Sequence, residues 1–338
     1  ATKRFIDNSK RENYLFNSSI NGIEEADLIL LIGTNPRFEA TIINARIRKA
    51  YLSNNTRVIS LNDLGDLTYN YQSLNGKVKT IKDIFENNDE LSKEIIESKK
   101  PMIVFGESFF KIKSASYLFN LSKEFLSKNN KLNDDWNPIN ILSVDAATVG
   151  NLDLDIIDKS NKMLDELHEN KFEIIFLLGQ DNLDFKKKDE FIIYQGSHGD
   201  RGAEIADIIL PGAAYTEQSG HYTNLEGKLQ KAYKASYPPG DAKEDWQIIN
   251  DLAEVMNNRK LFNDKDELES SMFNYLKMKK DQQNTELDDK LNETDFADEF
   301  LKVDYKDYYF SNVIARSSKT MLECNNAKID LKKTGTEG

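Results

Sequence analysis

Seven short apolar runs mark the first two thirds of the chain: residues 26–32, 57–61, 102–105, 139–144, 173–178, 191–194 and 205–210. Each has the length and β-branched content of a strand, and most are followed by a stretch with helical spacing. Their hydrophobicity is continuous rather than alternating, which predicts strands covered on both faces, as in a parallel sheet between two helical layers. Repeated strand-then-helix units predict an α/β domain with a doubly wound, mostly parallel sheet.

Between the runs the period changes to that of a helix. Over residues 39–52, Ile43, Ile47 and Ala50 share one side while Arg46 and Lys49 fall elsewhere and stay solvated; over 111–127, Ala115, Leu118, Phe119, Leu121 and Phe125 make a wide apolar stripe. Such stripes are core-facing. Pro238, Pro239 and Gly240 then break the chain, and Asp241 with Glu244 reads as a capping pair for a helix running through Met256. Trp246, Ile249, Leu252 and Met256 form its expected inner face. Residues 261–300 hold 12 acidic and 5 basic side chains, which predicts a solvated helix pair or a partly disordered loop. The expected organisation is an α/β domain over 1–256, an acidic insert over 257–305, helical or partly disordered, and a terminal segment over 306–338.

Charge narrows the function. With 45 Lys and Arg against 57 Asp and Glu, the net charge is −12, the wrong sign for a general nucleic-acid binder. No apolar run is long enough to cross a bilayer, so membrane association is expected only through partners. A single cysteine, Cys324, excludes an internal disulfide framework and any thiolate-held iron–sulfur cluster built by this chain alone. The three histidines are His168, His198 and His221, and only the last two fall in one neighbourhood, so no metal site is expected.

In a doubly wound sheet, chemistry sits in the loops beyond the carboxyl ends of the strands. The first such loop is Gly33, Thr34, Asn35, Pro36, Arg37, Phe38, Glu39. Gly33 permits a tight exit, the following helix start offers free N–H groups, and Arg37 adds a charge for phosphate. Against this, Glu39 already complements the helix dipole, and neither a G-x-G-x-x-G pattern nor a Walker lysine is present. The second loop, Gly179, Gln180, Asp181, Asn182, has no basic residue before Lys186. The third, from Gln195 through Gly196, Ser197, His198, Gly199, Asp200 and Arg201 to Gly202, permits close backbone approach; its Ser, His and Asp are too close in sequence to form a relay. Residues 206–230, ADIILPGAAYTEQSGHYTNLEGKLQ, read as a strand leading into a turn-rich segment in which Asn224 and Glu226 staple a loop.

That segment resembles the molybdopterin oxidoreductase superfamily, where an A-D-x-x-L-P strand leads to T-N-x-E-G-x-x-Q. Further stretches are similar to one branch of it, the large iron–sulfur subunit (the G subunit) of respiratory complex I, NADH:quinone oxidoreductase. They are ADLILLIGTNPRFEA at 26–40, NARIRK at 44–49, IIYQGSHGDRGA at 192–203, PGAAYTE at 211–217, PPGDAKEDW at 238–246 and YFSNVIARSSKTMLEC at 309–324.

The resemblance implies the molybdopterin-oxidoreductase-like C-terminal part of that large iron–sulfur protein. It implies a structural role, without catalytic residues or a cofactor of its own, in the peripheral arm. Gly33, Thr34, Asn35, Arg37, Gly179, Gly196, His198 and Gly199 would then be relics of a cofactor site. Iron–sulfur clusters are expected in the N-terminal part of the same protein or in a separate chain, and the partners are other peripheral-arm subunits. The expected location is the matrix side of the mitochondrial inner membrane, or the cytoplasmic face of a bacterial one. Two other readings stay open: an active molybdopterin-dependent oxidoreductase fragment, and a nucleotide-binding enzyme using the Gly33 loop.

Overall fold

The structure is a computed structural model that describes residues 7–158, 162–181, 183, 186–283, 296–305 and 307–334. Strand β1 (Leu28–Ile32) is followed by α1 (Pro36–Glu39), α2 (Thr41–Asn54), β2 (Arg57–Ser60) and the short β3 (Gln72–Ser73). Helices α3 (Val78–Phe85) and α4 (Glu90–Glu97) lead to β4 (Pro101–Gly106), and α5 (Ala115–Lys128) to β5 (Ile139–Leu142). The five strands form one parallel sheet in the order β3-β2-β1-β4-β5, with Leu30 opposite both Ile59 and Ile103.

Both faces of this sheet are covered, as continuous hydrophobicity predicts. Leu28, Leu30 and Ile32 pack with Ile81, Ile84, Leu118 and Phe119 of α3 and α5; Ile29 and Leu31 point the other way, onto Ile43 and Ile47 of α2. Full burial of each such side chain contributes about 1.5–3 kcal/mol. Arg46 and Lys49 are not simply solvated: both reach Glu24, at 2.6 Å. The β5 edge is closed by the preceding chain, where Asn140 accepts from Ser18 N at 2.8 Å and donates to Ser18 Oγ at 3.0 Å.

Beyond β5 come α6 (Thr148–Asp153), α7 (Met163–His168), β6 (Ile174–Leu178), β7 (Phe191–Gly196), α8 (Arg201–Ile205) and β8 (Ile208–Pro211). The last three strands form a second parallel sheet, β6-β7-β8. All seven apolar runs are therefore strands, but the expectation of two covered faces fails here. Ala203 and Ile205 pack with Leu177, Ile192 and Tyr194 on one face. On the other, Ile174, Phe176, Leu178, Phe191 and Ile208 are exposed. A strand's composition records that both faces are apolar; which elements cover them is decided outside the strand.

A hairpin of β9 (Gly220–Thr223) and β10 (Leu229–Ala232) follows, its turn stapled by Asn224 Oδ1, which accepts from Glu226 N and Lys228 N. Helix α9 (Asp245–Asn257) starts three residues later than its sequence signal. Its N-cap is Glu244, in a capping box with Gln247, rather than Asp241. The reason is tertiary: Lys243 is drawn to β8, its N–H donating to Pro211 O and its carbonyl accepting from Ala213 N. The expected inner face is also corrected. Ile248 and Asn250 are buried, while Ile249 and Met256 are exposed, because Asn250 holds the backbone of Leu261 and Phe262.

Among the described residues the acidic insert supplies one helix, α10 (Lys265–Gln283). It is docked: Lys265 bonds Glu244 at 2.7 Å, Tyr275 donates to Asp155 at 3.0 Å, and Lys279 donates to Leu152 O at 2.6 Å. Residues 284–295 of the insert lie outside the described residues. The last described elements are α11 (Val313–Ser317) and α12 (Lys319–Thr334).

Candidate functional site

The strand order reverses between β1 and β4, and a doubly wound sheet binds ligands in the crevice at their carboxyl ends. Gly33 leaves β1 with φ +70°, and a Cβ there would stand 2.5 Å from Phe109 N. At the end of β4, a Cβ on Gly106 would stand 2.3 Å from Gly33 O. Only glycine fits either position, and the two strand exits touch through their backbones where a crevice would open.

The helix start beside them is occupied by the protein itself. Glu39 folds back so that its Oε2 accepts from Thr34 Oγ1 at 2.6 Å and from Asn35 N at 2.5 Å. Its carboxylate takes the hydrogen bonds that an anion would use there. Burial holds the Glu39 carboxyl above its ordinary value and Glu107 adds to this, while the bonds from Thr34 and Asn35 and the charge of Lys111 oppose it. Asn35 caps α1 by accepting from Arg37 N, and donates to Leu64 O at 3.1 Å. Arg37 is committed elsewhere, its Nη1 lying 2.6 Å from Asp66 Oδ2.

Residues 296–305 lie across the same edge. Val78 N donates to Glu299 O, Leu301 N to Gly76 O, and Ser108 Oγ accepts from Asp304 N at 2.9 Å. Leu301 enters the core beside Val78 and Phe105, and Tyr305 stacks on Phe38 with ring centroids 4.6 Å apart. The loops after β1, β3 and β4 are thus bound to one strap.

The Gly179, Gly196, His198 and Gly199 loops converge at the carboxyl end of the second sheet, whereas the Gly33 loop belongs to the first. They close around a side chain. The Tyr194 hydroxyl donates to Asp181 Oδ1 and lies 3.0 Å from Gly199 O, and a Cβ on Gly196 would stand 2.1 Å from that hydroxyl. Arg316 of α11 reaches in, its Nε donating to Asp200 Oδ2 at 2.5 Å. Burial raises the Asp181 carboxyl, with Asp200 adding to the effect and Tyr194, Arg316 and His198 opposing it. Burial and the neighbouring Asp181 raise the Tyr194 phenol. Ser197 and His198 pair at the surface, 2.8 Å apart, whereas Asp200 caps α8 and faces Arg316. No His198–Asp200 hydrogen bond exists among the described residues, so this is not a relay.

Tyr194, Arg316 and the 296–305 strap are absent from the sequence-derived candidates, and Asp181 enters there only as a member of the second loop. The terminal stretch around Arg316 carried the available signal, but nothing in it names the loop it binds.

Among the described residues, no group of three or more His, Cys, Asp or Glu side chains is placed to hold a metal. An open recess of about 530 Å³, lined by Tyr51, Asn55, Arg57, Tyr71 and Gln72, sits at the amino end of β2, the opposite edge from the switch point. Arg57 within it is paired with Glu94 at 3.1 Å. The Gly33–Gly106 contact and the inward Glu39 carboxylate do not fit a pterin dinucleotide at the β1/β4 edge.

The profile of the molybdopterin oxidoreductase family matches residues 2–255, and that of the C-terminal domain of the NADH-ubiquinone oxidoreductase G subunit matches residues 267–324. The chain is 37% identical to the NADH-ubiquinone oxidoreductase 75 kDa subunit of Reclinomonas americana, over 94% of this chain and 47% of that protein. It is 37% identical to the mitochondrial NADH-ubiquinone oxidoreductase 78 kDa subunit of Candida albicans, over 93% and 45%. It is 36% identical to the G subunit of the NADH-quinone oxidoreductase of Rickettsia bellii, over 98% and 48%. The chain therefore spans about half the length of the curated relatives it matches.

Proposed function

Because the chain belongs to the molybdopterin oxidoreductase family, we propose that it has kept the family's body as architecture, within the peripheral arm of NADH:quinone oxidoreductase. The observation that carries this reading is the Glu39 carboxylate bonded to Thr34 and Asn35 at the switch point, beneath a strap that ties the surrounding loops together. The G-subunit profile over 267–324 and the relatives named above, which are NADH oxidoreductase subunits, support that assembly.

In this role the chain positions rather than reacts. Electrons pass through iron–sulfur clusters in the remaining half of the protein or in a separate polypeptide, since one cysteine cannot ligate a cluster of the Cys₄ type. Its partners are the other peripheral-arm subunits. It meets the membrane only through them, on the matrix side of a mitochondrial inner membrane or the cytoplasmic face of a bacterial one. Among the described residues no helix is long and apolar enough to cross a membrane.

The test is native-gel separation of detergent extracts, followed by assays for NADH oxidation, molybdenum and oxidised pterin fluorescence. The chain is expected to migrate with NADH-oxidising activity and, once separated, to carry neither molybdenum nor pterin. A solitary monomer outside that assembly, or a pterin held by the isolated chain, would overturn the reading.

A further inference from the structure

Among the described residues the second sheet presents a face without a cover. Ile174, Phe176 and Leu178 of β6 stand beside Phe191 and Ile193 of β7 and Ile208 of β8, since the register pairs Ile174 with Phe191, Phe176 with Ile193, and Ile193 with Ile208. Ile174 is 58% exposed, Phe176 45% and Leu178 57%. Side chains of this size, half exposed and contiguous, present on the order of 500 Å² of apolar surface, as much as the largest patch of a typical monomer. Scattered exposed residues would need no explanation; five aligned on three adjacent parallel strands, around a partly buried Ile193, do.

A parallel sheet is stable with both faces buried, because its crossovers lay helices on them. Here α8 returns on the Leu177–Ile192–Tyr194 face only, and among the described residues no helix packs on the other. Strand β6 is also an edge, with its outer backbone unpaired within the described sheet, whereas the far end of β8 is met by Lys243.

We infer that the Ile174–Phe176–Leu178 face is the docking surface for the part of the protein that the relatives possess beyond the matched half, and that it receives an apolar helical face, with β6 as the edge for an added strand. The relatives align along at least 93% of this chain, yet more than half of their own length lies outside the alignment. Polypeptide enough for a second set of helices is thus available in proteins of this kind. A second copy is the poorer fit, because two-fold pairing would set parallel sheet against parallel sheet, and such sheets pack against helices instead. The inference rests on the proposed place in NADH:quinone oxidoreductase.

The experiment uses the assembled complex, with a photo-crosslinking phenylalanine analogue in place of Phe176 and the adduct identified by mass spectrometry. An adduct with the cluster-bearing polypeptide or half is expected. An adduct with a second copy, with a different subunit or with residues 7–334 of the same chain overturns the inference, as does a complex that yields none. In parallel, Phe176→Asp is expected to reduce incorporation roughly a hundredfold or more, with Phe176→Leu restoring it. Because Phe176 is half exposed, the isolated Phe176→Asp chain should melt within a few degrees of the unaltered one; its unfolding would show that this chain covers the face itself. If Phe176→Asp assembles as well as the unaltered chain, the surface is wrong and the functional reading stands. If the unaltered chain never enters the complex, both fall.

Discussion

Arg316 and Asp200, 116 residues apart, are joined by a 2.5 Å hydrogen bond from the guanidinium Nε to the carboxylate Oδ2. Asp200 is itself held at φ +78° as the N-cap of α8. The terminal helices are thereby anchored to the glycine-containing loop of the second sheet, and Arg316 balances two neighbouring carboxylates, Asp200 and Asp181.

Arg316→Ala leaves those two carboxylates without their cation. Because the guanidinium is partly exposed, the cost falls below that of a fully buried pair, at about 2 kcal/mol. Protease cleavage in α12 should accelerate before global unfolding. Arg316→Lys should recover only part of the loss, since an ammonium cannot reproduce the guanidinium fork. Equal cleavage rates in all three proteins would show that the bond does not anchor the terminus.

Gly33→Ala and Gly65→Ala separate backbone strain from close approach. Both glycines have φ near +70°, but nothing lies within 4 Å of a Cβ at Gly65, whereas Phe109 blocks one at Gly33. Gly65→Ala should cost about 1 kcal/mol from conformation alone. Gly33→Ala should cost a further ~1–3 kcal/mol from overpacking. Urea midpoints measure both; equal shifts would mean that the β1 and β4 exits do not touch.

Glu39→Gln tests the occupied switch point through pH. The folded Glu39 pKa is raised above 4.5, so between these values the folded state binds more protons than the unfolded one. Its contribution is complete below the unfolded value and is lost as pH rises through the folded value. Glu39→Gln keeps an acceptor for Thr34 and Asn35 and removes the titration. Relative to the variant, the unaltered protein should therefore gain stability on acidification from neutral pH toward 4.5. A flat difference across that range would contradict the buried placement of this carboxyl.

Glu244 predicts the opposite slope. Burial pushes its carboxyl up, but Lys265, Trp246 and Lys234 outweigh this and hold it below 4.5. Its stabilisation is present above the unfolded value and lost as pH falls through the folded one. Glu244→Gln should cost about 1–2 kcal/mol near neutral pH, through the ties to Lys265 and Lys234. Hydrogen exchange along α10 should rise first; exchange unchanged there would show that the helix is held by its other contacts.

Strand positions follow from the order of residues alone, because β-branched runs bounded by turn residues have few other solutions, and 28–32, 57–60 and 139–142 fall within the expected ranges. The glycine at the end of β1 and the absence of a Walker lysine are equally plain in the chain. What those features meet is set by folding. Asp241 carries as good a local cap as Glu244, and only the pairing of Lys243 with β8 moves the helix start. Glu39 reads as a dipole partner until the backbone turns it onto Asn35. The apolar run 173–178 looks the same as 26–32, yet the latter is enclosed and the former bare on one face. Hydrophobic pattern is a local property of the chain, while coverage, charge pairing and close approach depend on segments distant along it, more than a hundred residues away for Arg316 and Asp200.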